Sequence, residues 1–157
     1  MRLRHFVVTA SVGIAGIGIA AGSAAAAPTK AGTESFTLTE SFTGEGGSVT
    51  ASGVINATGT DIVISATEDL FDFGAAGTVT VFHSPTATAA HFNEHTCTVM
   101  IHETGRYTFG NGTGQFADYS GSGTYRVRGT GTDACSETGP VGTISISAKG
   151  PIVPLGD

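Results

Sequence analysis

The sequence predicts an all-β protein: an eight-stranded antiparallel β-barrel closed on itself, with a β-sandwich as the competing architecture. Three observations predict it. The chain holds 24 glycines in 157 residues, is rich in Thr and Ser, and has no Trp. Alternating runs recur at short spacing, and none carries a long helical period. Residues 107–131, YTFGNGTGQFADYSGSGTYRVRGTG, read as a strand, a glycine-rich turn and a long second strand.

Taken in order, the runs are these. Residues 34–43 put Phe36, Leu38 and Phe42 on one side, and residues 47–57 align Val49, Ala51, Gly53, Ile55 and Ala57. Residues 61–66 carry Ile62 and Ile64, and residues 78–83 align Val79, Val81 and His83. Residues 96–103 align Cys97, Val99, Ile101 and Glu103, and residues 106–110 follow. In residues 118–129 one face holds Tyr119, Gly121, Gly123, Tyr125 and Val127, and the other holds Arg126 and Arg128. Residues 141–148 carry Ile144, Ile146 and Ala148. Eight antiparallel strands must hide their edges, and closure does so completely. At that strand number the interior is either packed with side chains or holds one small ligand. Three segments break the pattern: an acidic loop from Glu68 to Ala76, a stretch from Ser84 to Glu94 with room for one helical turn, and a loop from Thr130 to Pro140 holding Cys135.

Residues 1–26 read as a signal peptide. Arg2, Arg4 and His5 precede the apolar run Phe6–Ala21, and Ala24-Ala25-Ala26 fits an A-x-A cleavage site. The run is short and Gly-rich for a spanning helix. Cleavage leaves residues 27–157 as a single secreted domain without a membrane span. Losing Arg2 and Arg4 lowers the basic count from 7 to 5 against 13 acidic residues, a net charge of about −8. So acidic a chain has no electrostatic means of holding nucleic acid or anionic lipid. Export also predicts a Cys97–Cys135 disulfide, these being the two cysteines of the chain.

The segment Gly112-Thr113-Gly114-Gln115-Phe116-Ala117-Asp118-Tyr119-Ser120-Gly121-Ser122-Gly123 resembles the G-T-G-x-[FY]-x-x-A-x-G-x-G pattern of the allene oxide cyclase barrel and dirigent-like proteins, closest to small secreted actinobacterial members. Asp118-Tyr119 stands where that pattern has a small residue. The resemblance implies a barrel. It implies no single activity, because the family spans isomerases, proteins that steer radical coupling and members without known chemistry. No catalytic residue of those enzymes has a matching position here.

The residue types themselves offer several candidates. Gly110–Gly114 looks like a dinucleotide loop, but a strand follows it where that loop needs a helix N-terminus. His91-Phe92-Asn93-Glu94-His95 fits H-x-x-E-H, yet the β-branched residues from Thr96 onward oppose the helix this zinc motif requires. The expectation is therefore no metal and no cofactor, with His91 and His95 as the alternative metal pair among His83, His91, His95 and His102. Glu103 shares a face with Val99 and Ile101, so an inward face would make it a buried candidate acid. Phe36, Phe42, Phe82, Phe109, Tyr119 and Tyr125 are the candidate ligand-binding aromatics. The leading expectation is a secreted barrel that binds a small apolar molecule or serves as a non-enzymatic interaction module. A small-molecule isomerase or cyclase is the alternative, and a purely structural barrel the third reading. An empty apolar cavity favours binding, and a carboxylate or His beside an apolar wall favours catalysis.

Overall fold

The computed structural model describes residues 30–155 except 43 and 45, so the signal peptide expected over residues 1–26 lies outside the described residues. Eight strands follow one another: β1 (Gly32–Ser41), β2 (Gly47–Gly53), β3 (Ala57–Ser65), β4 (Glu68–Asp72), β5 (Thr78–Asn93), β6 (Thr98–Gly110), β7 (Tyr119–Thr132) and β8 (Val141–Pro154). Each pairs antiparallel with the next, and β8 returns to pair with β1 from Gly32–Ile152 to Ser41–Thr143. The result is a closed up-and-down barrel, not a sandwich.

Period-two alternation decides what the barrel contains. Phe36 and Leu38 of β1, Val49 and Ala51 of β2, Phe71 of β4, Val79 and Val81 of β5, and Tyr107 and Phe109 of β6 all point inward and are buried. Phe36 sits at the centre, with ring centroids 5.5 Å from Phe71, 6.2 Å from Tyr107 and 5.7 Å from Phe109. Such tilted and edge-on contacts suit the ring quadrupole. Glycine makes them fit: Gly121 lies opposite Phe109, and a Cβ there would collide with its ring.

One end of the barrel is plugged. Phe73, just after β4, stacks on Phe116 of the β6–β7 connection at 4.9 Å, and Ile55, Tyr119 and Ile152 complete the plug. Glu34, fully buried, accepts a hydrogen bond from the Ile55 backbone N–H at 2.9 Å and so fixes the β2–β3 turn. The motif glycines of residues 112–123 therefore turn the chain beneath the plug and start β7. Tyr119 is part of the filling.

The structure redraws four of the expected segments. Glu68–Asp72 is a strand, because Phe71 faces the core and the backbone pairs with both β3 and β5. Ser84–Asn93 continues β5 instead of forming a helical turn, paired with β6 throughout. Residues 96–103 and 106–110 are parts of one strand, β6, since Gly105 keeps the extended pairing. The expected count of eight is right only because this merger offsets the strand gained at β4. Finally, Ile62 and Ile64 face outward, and Asp61 faces inward opposite Phe71. Pairing with β2 and β4 sets that register, overriding the apolar preference of β3 itself.

The four connections at the other end leave the barrel open. Here Cys97, in the β5–β6 turn, bonds to Cys135, in the β7–β8 loop, with an S–S distance of 2.05 Å. The Ala134 N–H donates to the Cys97 carbonyl at 2.9 Å beside it. The bridge ties together the tips of the four longest strands, where the wall stands beyond the core. In the chain-entropy account, a sequence separation of 38 stabilises the fold by about 3–4 kcal/mol. Replacing both cysteines by Ser is expected to lower the unfolding free energy by about that amount in denaturant titration while leaving the far-ultraviolet circular dichroism of the folded protein unchanged. An unchanged midpoint would show that the bridge does not constrain the unfolded chain.

Candidate functional site

The open end leads into a cavity of about 300 Å³ between the aromatic centre and the mouth. Its wall is mostly apolar: Phe36 and Leu38 from β1, Phe71 from β4, Val81 from β5, Val127 from β7, and Ile144, Ile146 and Ala148 from β8. Set into this wall are Glu40, Asp69, His83, Glu103, Tyr107 and Tyr125. Four different strands supply the acid and imidazole groups.

Local devices bring them together. Asp69 and His83 are diagonal neighbours on β4 and β5, and His83 Nε2 lies 3.3 Å from Asp69 Oδ2. This contact is the main cause that raises the His83 pKa, against partial burial that opposes it. The ring of His83 meets Tyr125 edge-on at 5.8 Å. Gly105 lies opposite Tyr125, and a Cβ there would strike its ring. The missing side chain lets the ring reach over β6, where Tyr125 Oη donates to Glu103 Oε1 at 2.7 Å. Burial, followed by the bonded Glu103 carboxylate, pushes the Tyr125 phenol well above its ordinary range.

A β-bulge supplies the second partner of Glu103. The β5–β6 register shifts between Pro85 and Ala87. Before the shift, odd positions such as His83 face inward. After it, even positions do, and Thr88 stands opposite Glu103. Thr88 Oγ1 donates to Glu103 Oε2 at 2.9 Å, so both carboxylate oxygens are held. Proline at the irregularity has no N–H to leave unpaired.

Behind Glu40 and Asp69 lies Asp61, inward-facing on β3 and 1% exposed. Neither of its carboxyl oxygens meets a hydrogen-bond donor among the described residues. Its hydrogen-bonding neighbour is the Glu40 carboxyl, which can donate only when protonated. Burial, then the charges of Asp69 and Glu40, push the Asp61 pKa up to about 8, with His83 opposing. Burial raises Glu40 as well. Burial thus favours the protonated form of both acids. Tyr107, with an unpartnered buried hydroxyl, is pushed up to about 12 by burial and by Glu34.

Of the residues singled out in the sequence, Glu103, Phe36 and Tyr125 line this cavity. Phe109 and Tyr119 are buried in the packed core, and neither lines the cavity. Phe42 packs instead over Gly129 and Gly131 of β7; a Cβ on Gly129 would lie 3.0 Å from its ring. Phe82, 43% exposed, stands on the outer face of β5, as its alternation with Val81 and His83 requires. His91 and His95 are exposed, and Asn93 Oδ1 accepts from the N–H groups of His95 and Thr96 in a turn, not a helix. Among the described residues, no group of three or more His, Cys, Asp or Glu side chains is placed to hold a metal ion. No helix among them is long and apolar enough to cross a membrane, which says nothing of strands.

Sequence reasoning missed Glu40, Asp61 and Asp69 as site residues. Glu40 carried a signal, since it continues the Phe36–Leu38 face of β1. Asp69 looked like a solvated loop because β4 was not recognised. Nothing local marks Asp61 as interior.

No protein-family model, curated protein or solved structure matches the chain.

The titrations set a pH dependence. Over the window from the ordinary value of 3.8 to about 8, folded Asp61 holds a proton that the unfolded chain has lost. Stability therefore falls as pH rises through that window. Glu34 and Glu40, also raised, act with the same sign. His83 contributes stability that is complete below its ordinary value of 6.5 and is lost as pH rises through its higher folded value. Thermal melts are expected to show a Tm that declines from about pH 5 to about pH 8, and Asp61→Asn should flatten that decline. A wild-type Tm that climbs across this window contradicts the assignment.

Proposed function

We propose that the protein is exported and that its barrel binds a small, largely apolar molecule at the open end, where it carries out acid–base chemistry of the isomerase or cyclase kind. The observation that carries this reading is a cavity in which His83–Asp69 and Glu103–Tyr125 face an apolar wall. A ligand held against Phe36, Phe71 and Ile146 would present its polar group to a hydrogen-bonded imidazole on one side and a doubly anchored carboxylate on the other. Those are the parts that proton removal and return at two positions require. A tight apolar enclosure would also hold a flexible molecule in a reactive shape. The Cys97–Cys135 bridge supports export, because such bonds persist in oxidising compartments. The motif in residues 112–123 supports kinship with the allene oxide cyclase barrel and dirigent-like proteins, some of which are isomerases.

Binding without chemistry is the second reading, favoured by how much of the cavity wall is apolar. Incubation with the small-molecule fraction of the host's culture medium, followed by mass-resolved chromatography, separates the two. The expected result is loss of one compound and growth of an isomer of equal mass. His83→Gln and Glu103→Gln should each slow that conversion by about a hundredfold, the usual scale for a lost acid–base group. A compound retained by the wild type with no isomer formed would overturn the enzymatic reading in favour of binding alone.

A further inference from the structure

We infer that the ligand of this cavity is an organic cation: a protonated amine carried on an apolar or aromatic body. The inference rests on the reading of the cavity as a ligand site and names the class of molecule it takes.

Charge balance points there. The titratable groups lining the space are Glu40 from β1, Asp69 from β4, His83 from β5, Glu103 and Tyr107 from β6 and Tyr125 from β7, with Asp61 of β3 next to Glu40. Neither β2 nor β8 adds a charged lining group, and no Lys or Arg lines the cavity. Arg106, Arg126 and Arg128 are exposed on the outer face. His83 is the one basic group among the lining residues, against the carboxyls of Glu40, Asp69 and Glu103. The acids of this apolar space therefore outnumber its bases.

A buried polar group that served only the fold would have its hydrogen bonds satisfied. Tyr107, 3% exposed, lines the space with a hydroxyl that has no partner among the described residues. An ammonium group there would donate to Tyr107 and Glu40 and give the lining carboxyls the counter-charge they lack. The aromatic residues Phe36, Tyr107 and Tyr125 line the same space, where a cation can meet their rings. A metal ion is the poorer occupant, since no three potential ligands converge among the described residues. A carboxylate ligand would meet Glu103 and Asp69 as like charges in a low-dielectric space.

The test uses three probes with one skeleton and different head groups: 4-phenylbutylamine, 4-phenylbutan-1-ol and 4-phenylbutanoate, titrated calorimetrically into the wild-type protein. The amine should bind about tenfold or more tightly than the alcohol, and the carboxylate most weakly. Amine affinity should rise from about pH 5.5 to about pH 8.5, as the Glu40–Asp61 pair and His83 lose protons, while the alkylammonium, with a pKa of about 10, stays charged. Alcohol affinity should stay level. Glu103→Gln should weaken the amine and leave the alcohol unchanged. Equal or tighter binding of the alcohol or the carboxylate would overturn the cation preference and leave the cavity standing as a ligand site. Failure of all three to bind would overturn the ligand-site reading itself.

Discussion

The seam in which β8 pairs with β1, from Gly32–Ile152 to Ser41–Thr143, is the constraint on which the rest of the molecule depends. An open sheet of these strands would leave Glu40, Asp61, Asp69, His83 and Glu103 on a solvated face. Closing the sheet wraps that face into an interior. Alternation then works without regard to chemistry: whatever falls on the inward register is enclosed, whether Phe36 or Asp61. The aromatic centre and the plugged end provide the apolar burial that offsets the cost of enclosing acids.

The site depends on departures from regular strand structure. Gly105 and Gly121 give up side chains so that Tyr125 and Phe109 can cross the space left behind. The irregularity at Pro85–Ala87 turns Thr88 to the inside, where it holds Glu103. A regular β5 would put Thr88 outside and leave one Glu103 oxygen without this partner. The long strands β5–β8 extend past the core, and the disulfide secures their tips near the mouth. Rigid walls and a fixed Glu103 suit a cavity that must hold polar groups in a set geometry.

Much of this was legible in the sequence, and the parts that were not share one cause. Alternation over residues 118–129 identified the inward face of β7 correctly, including Tyr125, and the Val79–Val81–His83 face was read as it stands. The alignment of Glu103 with Val99 and Ile101 made it a candidate interior acid on the condition that this face points inward, which it does. The errors came where composition and register disagree. In β3 the apolar residues Ile62 and Ile64 face outward, because neighbouring strands, not local hydrophobicity, set the register. In β4 three acids within five residues concealed a strand whose inward face includes Asp69 and Phe71. Phe82 was grouped with the ligand-binding aromatics by residue type, against its own alternation with His83. The acid pair and the imidazole–carboxylate pair each join residues from different strands, so no local spacing announces them.

Closure of the barrel encloses the Asp61 and Glu40 carboxyls and favours their protonated forms. Carboxyl-carbon NMR on protein labelled at Asp and Glu, titrated across the acid-to-neutral range and assigned with Asp61→Asn, tests it most directly. The account predicts that the Asp61 resonance titrates far above the ordinary carboxylate range, at about 8, and that Glu40 shifts with it. Titration of both carboxyls near their ordinary values, about 4, would contradict it and mean that water reaches this part of the barrel freely.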